Sequence, residues 1–321
     1  MYMKEKTAIA VLDAATLGSD IDLSVFSEFG SLTVYRTTSP AEVGRRASCA
    51  DIIILNKVRI NAGTLPDAGR LKLICIAATG FDNVDLAFCR EKGIAVCNVV
   101  GYSTDSVAQL TAAMALYLYN RLPEFTRAVR DGSYTNGGVA NMLTPVFREL
   151  RGKVWGIVGF GNIGRQVGRI ASALGCEVIG FRRNPSGAGE TDDLDLLLSR
   201  SDIISVHLPL SEATRGIIGA AAISRMKRGV ILINTARGAV TDEKAVADAV
   251  LSGQIGGFGC DVYSTEPLSA DNPISGIKGL DNVCLTPHNG WGAYEARVRC
   301  VNEMAENIRS FMSGGSRCRI D

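Results

Sequence analysis

Three residues whose types together could handle a carbonyl group fall in short motifs of the second half of the chain: Arg237 in NTARG, Glu266 in CDVYSTEP and His288 in TPHNGW. A carboxylate beside an imidazole favours the protonated ring, so such a pair can act as a general acid toward a carbonyl oxygen. A guanidinium fork next to it matches a carboxylate bidentately and polarises the carbonyl. The chain has 2 histidines, which narrows the choice of a neutral-pH proton donor. Taken singly, each residue has an ordinary alternative. Arg237 could be a surface arginine, Glu266 a turn residue before Pro267, and His288 a structural histidine beside Pro287 and Gly290. The other histidine, His207, could cap a turn or line an adenine pocket together with Pro209.

What favours the joint reading is where these residues stand relative to the strands. β-branched runs at 153–158, 177–181, 202–206, 229–234, 255–262 and 282–285 alternate with helical stretches, which implies a parallel sheet with crossover helices. In such sheets ligands bind outside the carboxyl ends of the strands. Arg237, Asp261 with Glu266, and His288 follow three of those ends.

The first of these strands runs into GFGNIG at 159–164, followed by a helical stretch at 165–174. Gly159 permits a tight turn, Gly161 a close backbone approach to a pyrophosphate, and Gly164 close helix–strand packing, with phosphate charge resting on the helix N-terminus. A glycine-rich turn is the plain alternative, but a strand before and a helix after point to a dinucleotide site.

About 150 residues precede this motif, enough for a separate domain in a chain of 321. They alternate in the same way, with strands at 8–12, 32–35, 51–55, 73–77 and 94–99 and helices at 20–29, 40–50 and 84–92. A long apolar helix is expected from Ser103 to about Leu122, a loop at 131–141, and a last helix at 293–312 that carries the chain back onto the first domain. Net charge is +1, with 46% apolar and 21% charged residues. That composition supplies a sizeable core and no field for steering nucleic acid. No apolar run reaches membrane-spanning length, and no secretory leader is visible. Nine cysteines without a CxxC or any metal-ligand spacing fit a reducing cytoplasm, with neither a disulfide framework nor a metal site.

The order GxGxxG, N-x-x-R-G, D-V-x-x-x-E-P and P-H-x-x resembles the D-isomer-specific 2-hydroxyacid dehydrogenases. The similarity extends over essentially the whole chain, with ATGFDNVD at 78–85 and NVVGYSTDSVAQL at 98–110. It implies an α/β protein with two doubly wound parallel-sheet domains: a Rossmann nucleotide-binding domain, 103–290, inserted in a flavodoxin-like substrate domain formed by 1–102 and 291–321. It also implies a cleft between them and a homodimer. On matching positions His288 is the acid/base, Glu266 its partner and Arg237 the carbonyl- and carboxylate-binding cation. Asp261 holds the nicotinamide carboxamide, Thr235, Ala236 and Gly290 stand on the cofactor side, and Asn162-Ile163 lie beside the pyrophosphate. Thr79, Gly80, Tyr102 and Trp291 meet the substrate.

Within the family, YSTDSVAQ, Trp291 and EAR at 295–297 look most like the glycerate dehydrogenase or hydroxypyruvate (glyoxylate) reductase branch. D-lactate and 3-phosphoglycerate dehydrogenases, and a dinucleotide-sensing corepressor of the same descent, are the alternatives. Glu266 stands where the similar formate dehydrogenases carry glutamine, which disfavours formate. Val100-Gly101 and Asn289-Gly290 depart from the family's usual Pro-Ala and Ile-Ala or Ile-Gly.

One further departure concerns the cofactor. NAD sites carry an acid about 20 residues beyond the glycines, at the end of the second strand, for the ribose 2′-hydroxyl. Here CEVIGFRRN places Arg182, then Arg183, at that point, and no acid stands there. Guanidinium groups bind a 2′-phosphate by charge-assisted hydrogen bonds, so NADP(H) is expected to be preferred, with NAD(H) possible. Two solvated arginines are the alternative.

Overall fold

Strands made of unbroken aliphatic runs need cover on both faces, as parallel crossover folds provide. In the computed structural model, which describes residues 6–321, the chain divides into two compact units. One runs to Ser103 and resumes from Gly292 to Asp321; the other is Thr104–Trp291.

The first unit holds β1 (Ala8–Val11), β2 (Ser31–Val34), β3 (Ile52–Leu55), β4 (Leu73–Ile76) and β5 (Ala95–Cys97) in the order β2-β1-β3-β4-β5. All pairings are parallel, and the order is that of flavodoxin-like sheets. β3 and β4 are buried at every position. The helix Tyr294–Met312 belongs to this unit: its Asn307 side chain, itself buried, donates to the Asn98 carbonyl at 2.9 Å.

The second unit holds β6 (Val154–Val158), β7 (Glu177–Phe181), β8 (Glu190–Thr191), β9 (Ile203–Val206), β10 (Val230–Asn234), β11 (Ile255–Cys260) and β12 (Val283–Leu285). Their order is β12-β11-β10-β9-β6-β7-β8. The chain leaves β6 toward β7 and β8, then crosses back to β9 on the other side, so the order reverses between β6 and β9. This is the Rossmann arrangement, whose ligand crevice opens at the carboxyl ends beside that reversal.

Two helical expectations are corrected. Residues 20–29 form only a 3-10 turn, Ser24–Phe29, because the Asp22 carboxylate accepts from both the backbone N–H and the hydroxyl of Ser24 and stabilises a local turn instead. The helix begun at Thr104 stops at Tyr119. Pro123 cannot continue a helix; Arg121 takes φ +56° and a second helix, Leu122–Arg130, starts in a new direction. The expected loop at 131–141 contains one helical turn, Ser133–Asn136.

Candidate active site

The glycine loop separates into two roles. A Cβ on Gly159, whose φ is +104°, would lie 2.7 Å from the His207 carbonyl carbon, and one on Gly164 would lie 2.3 Å from the Gly159 oxygen. Both glycines are therefore required by packing between β6, β9 and the helix Asn162–Ala173. A Cβ on Gly161 would meet nothing within 4 Å. The loop is thus open in front of Gly161, at the N-terminus that Asn162 and Ile163 begin, which suits a pyrophosphate.

At the ends of β10, β11 and β12 the loops that carry the three motif residues pack against one another. His288 Nδ1 lies 2.6 Å from Glu266 Oε2, with the ring 19% and the carboxyl 30% exposed. Glu266 Oε1 accepts the Tyr263 N–H at 3.1 Å, and the Tyr263 hydroxyl donates to the Thr286 carbonyl at 2.9 Å. One tyrosine therefore ties the glutamate loop to the histidine loop. The arginine loop packs against the same segment: a Cβ on Gly238 would fall 2.0 Å from the Tyr263 carbonyl carbon, which explains the glycine after Arg237. Within that turn the buried Asn234 side chain accepts from Ala236 N–H and donates to the Arg237 carbonyl, each at 3.0 Å. Arg237 Nη1 donates to the Ala236 carbonyl at 2.8 Å.

His288 takes φ +54°, a conformation uncommon outside glycine that persists where surroundings enforce it. Asp261 supplies the enforcement. Its carboxylate accepts Thr286 Oγ1 at 2.5 Å, Asn289 N–H at 2.9 Å and Gly290 N–H at 2.8 Å. A Cβ on Gly290 would stand 2.9 Å from that carboxylate. The backbone of Asn289-Gly290 is thus part of the clamp on the histidine loop.

His207, itself half-buried, lies elsewhere, in a polar chain whose other members are buried. Trp155 Nε1 donates to Ser205 Oγ, which meets His207 Nε2; His207 Nδ1 meets Thr235 Oγ1, and Thr235 meets Thr111, which donates to the Val107 carbonyl. With Thr111's proton committed, the donors run one way and leave the ring neutral with its proton on Nδ1. Burial pushes its pKa down to about 3.

The expectation that no acid stands near Arg182 is corrected by the sheet. β8 pairs in parallel with β7, and its Glu190, 2% exposed at the side chain, lies 3.5 Å from Arg182 Nη1 and 2.8 Å from Arg165 Nη2.

Residues 112–290 match the family model described as the D-isomer specific 2-hydroxyacid dehydrogenase, NAD binding domain. A hydroxypyruvate reductase of Blautia hydrogenotrophica is 35% identical over 95% of this chain and 97% of its own length. The chain belongs to the D-isomer-specific 2-hydroxyacid dehydrogenase family. Among solved structures, an acyclic imino acid reductase (Bsp5) in complex with NADPH and D-Arg superposes with a TM-score of 0.87 at 30% identity, covering 98% and 99% of the two chains. A D-lactate dehydrogenase from Aquifex aeolicus complexed with NAD and lactic acid gives 0.82 at 30% identity over 95% and 96%.

In this dehydrogenase the remaining expected residues fall in separate places. Thr79 and Gly80 follow β4 in the first unit, where Thr79 Oγ1 donates to the Val99 carbonyl at 2.7 Å. Tyr102 is buried in the same unit, and its carbonyl accepts Arg299 Nε at 3.1 Å. Trp291 ends the second unit. Ala236 is buried in the arginine turn, Pro209 follows His207 on the loop after β9, and Arg183 follows Arg182. Sequence reasoning missed Tyr263, Asn234 and Glu190. The first two stand inside motifs already singled out, so their spacing was visible; Glu190 carried no such signal. Among the described residues no group of three or more His, Cys, Asp or Glu could hold a metal, and no helix is long and apolar enough to cross a membrane.

Proposed function

We propose that this dehydrogenase reduces a small 2-oxo acid, hydroxypyruvate or glyoxylate, to the D-2-hydroxy acid with NADPH preferred, and runs the reverse oxidation. The observation that carries the reading is the His288–Glu266 pair at 2.6 Å beside the Arg237 loop. Glu266 engages Nδ1, so Nε2 carries the transferable proton. In reduction His288 gives that proton to the substrate carbonyl oxygen; in oxidation it takes it back. Arg237 binds the substrate carboxylate and polarises the carbonyl. Asp261 keeps the His288 loop in place and stands on the nicotinamide side with Thr235, Ala236 and Gly290.

Gly159, Gly161, Asn162, Ile163 and Gly164 would hold the pyrophosphate, His207 and Pro209 the adenine, and Arg182 and Arg183 the 2′-phosphate. The bound nicotinamide supplies hydride to the carbonyl carbon, or accepts it. Thr79, Gly80, Tyr102 and Trp291 are assigned to the substrate on their motifs. The NADPH reading is supported by Arg182 and Arg183 at the strand end and by the NADPH of the imino acid reductase relative. The hydroxypyruvate reading is supported by the Blautia relative and by the YSTDSVAQ segment. Nine free thiols fit a cytoplasmic enzyme, and exposed apolar residues at 139–147 support a homodimer.

The test is a screen of hydroxypyruvate, glyoxylate, pyruvate and branched 2-oxo acids with NADPH and NADH, with and without ammonium, following nicotinamide absorbance. A polar pocket group left without its partner costs about 1–3 kcal/mol, so hydroxypyruvate should exceed pyruvate in kcat/KM by about tenfold to a hundredfold. Equal or better pyruvate efficiency, strict dependence on ammonium, or equal or better efficiency with NADH would overturn the corresponding part.

A further inference from the structure

The acid brought beside Arg182 has a defined set of partners. Glu190 Oε1 takes Arg165 Nη2 at 2.8 Å, and Oε2 accepts the Ser186 backbone N–H at 2.8 Å and its hydroxyl at 3.3 Å, with Arg182 Nη1 at 3.5 Å. Arg182 Nη1 also donates to Ser186 Oγ at 3.0 Å, and its backbone N–H donates to the Thr191 carbonyl at 2.9 Å. The Arg165 guanidinium lies over the Phe160 ring, 5.1 Å from its centroid. One nearly enclosed carboxylate thus gathers two guanidiniums, one from the first turn of the helix behind the glycine loop and one from the end of β7. Without it, two like charges on flexible stems would be driven apart.

Each arginine spends part of its fork on Glu190. Arg182 Nε and Nη2 are engaged by no side chain or carbonyl among the described residues, and the guanidiniums remain 42% (Arg165) and 35% (Arg182) exposed at the side chain. Fixed guanidiniums with donors to spare suit a doubly charged oxyanion, whereas a ribose hydroxyl needs an acceptor.

We propose that Glu190 is a positioning residue for cofactor choice: by fixing Arg165 and Arg182 on one carboxylate, it presents their remaining donors to the 2′-phosphate of an adenine dinucleotide. This rests on the NADPH reading above. Glu190 also carries a charge that repels the phosphate. Orientation outweighs it, because each charge-assisted hydrogen bond contributes about tenfold to a hundredfold in affinity and two guanidiniums depend on the one carboxylate.

Calorimetry with 2′,5′-ADP and 5′-ADP, which differ only by the 2′-phosphate, tests this apart from turnover. The unmodified protein should bind 2′,5′-ADP more tightly. Glu190→Gln should reduce that preference by about tenfold while leaving 5′-ADP affinity within about twofold. An unchanged or larger preference in Glu190→Gln, or a parallel loss for both nucleotides, overturns the positioning role and leaves the NADPH reading standing. No preference in the unmodified protein overturns both.

Discussion

His288 pairs with a carboxylate and sits in a strained backbone conformation, two properties that a merely structural histidine has no need to combine. Holding a non-glycine residue at positive φ costs about 1–3 kcal/mol, and the Asp261 clamp on both sides of it offsets that cost. Asparagine tolerates the left-handed region, so His288→Asn should keep the loop while removing the proton donor. Its turnover should fall by about a hundredfold to ten-thousandfold, with KM for the nicotinamide cofactor within about threefold of the unmodified value. Turnover within tenfold of the original would remove His288 from the reaction. This residue was legible in the sequence because histidines are so few and it follows a strand. Glu190 was not. It lies beyond the residues 183–189 that leave and regain the sheet, and the two-residue β8 that carries it is too short to show any periodicity.

At the scale of elements, the alternation of runs shows every strand of both sheets except β8, since buried parallel strands are unbroken apolar segments. Helix ends were less legible. The break at Arg121 depends on how one proline redirects a chain, and the missing helix at 20–29 on a side chain capturing a backbone N–H. The polar chain from Trp155 to Thr111 was equally invisible, because it joins β6, β9, the end of β10 and the helix Thr104–Tyr119 across distant positions. Its consequence is measurable. His207 has a folded-state pKa of about 3, below its ordinary 6.5, so below pH 6.5 the unfolded chain binds a proton that the folded one refuses. Stability from this group is complete above pH 6.5 and declines as pH falls toward 3. Between pH 7 and pH 5 the loss is about 2 kcal/mol. His207→Asn, which cannot titrate, should lose that much less in urea denaturation over the same interval. An equal pH dependence in the two proteins would mean that His207 takes up its proton without unfolding.

At the scale of the whole molecule, the segment 139–147 leaves a run of apolar side chains in water. Val139, Met142, Leu143, Val146 and Phe147 are all exposed, Leu143 at 70% and Val146 at 73%. Scattered apolar residues on a surface are ordinary, but five within nine positions make the kind of patch that monomers rarely leave to water. The loop expected at 131–141 takes in Val139 and ends just before the other four, and nothing in its composition shows the patch, because exposure depends on where a loop lands. The neighbouring helix Leu122–Arg130 adds Leu122 and Val129, both exposed. A second copy of the chain would cover this surface symmetrically, as most soluble oligomers do. Each chain is 34.1 kDa, so light scattering at micromolar concentration should give about twice that mass. Leu143→Asp with Val146→Asp places two charges where the partner would pack. Both side chains are already in water in the single chain, so the variant should scatter as a monomer with an unchanged circular dichroism spectrum. A single-chain mass for the unmodified protein, or an unchanged dimer in the double variant, would show that this patch is not where two copies meet.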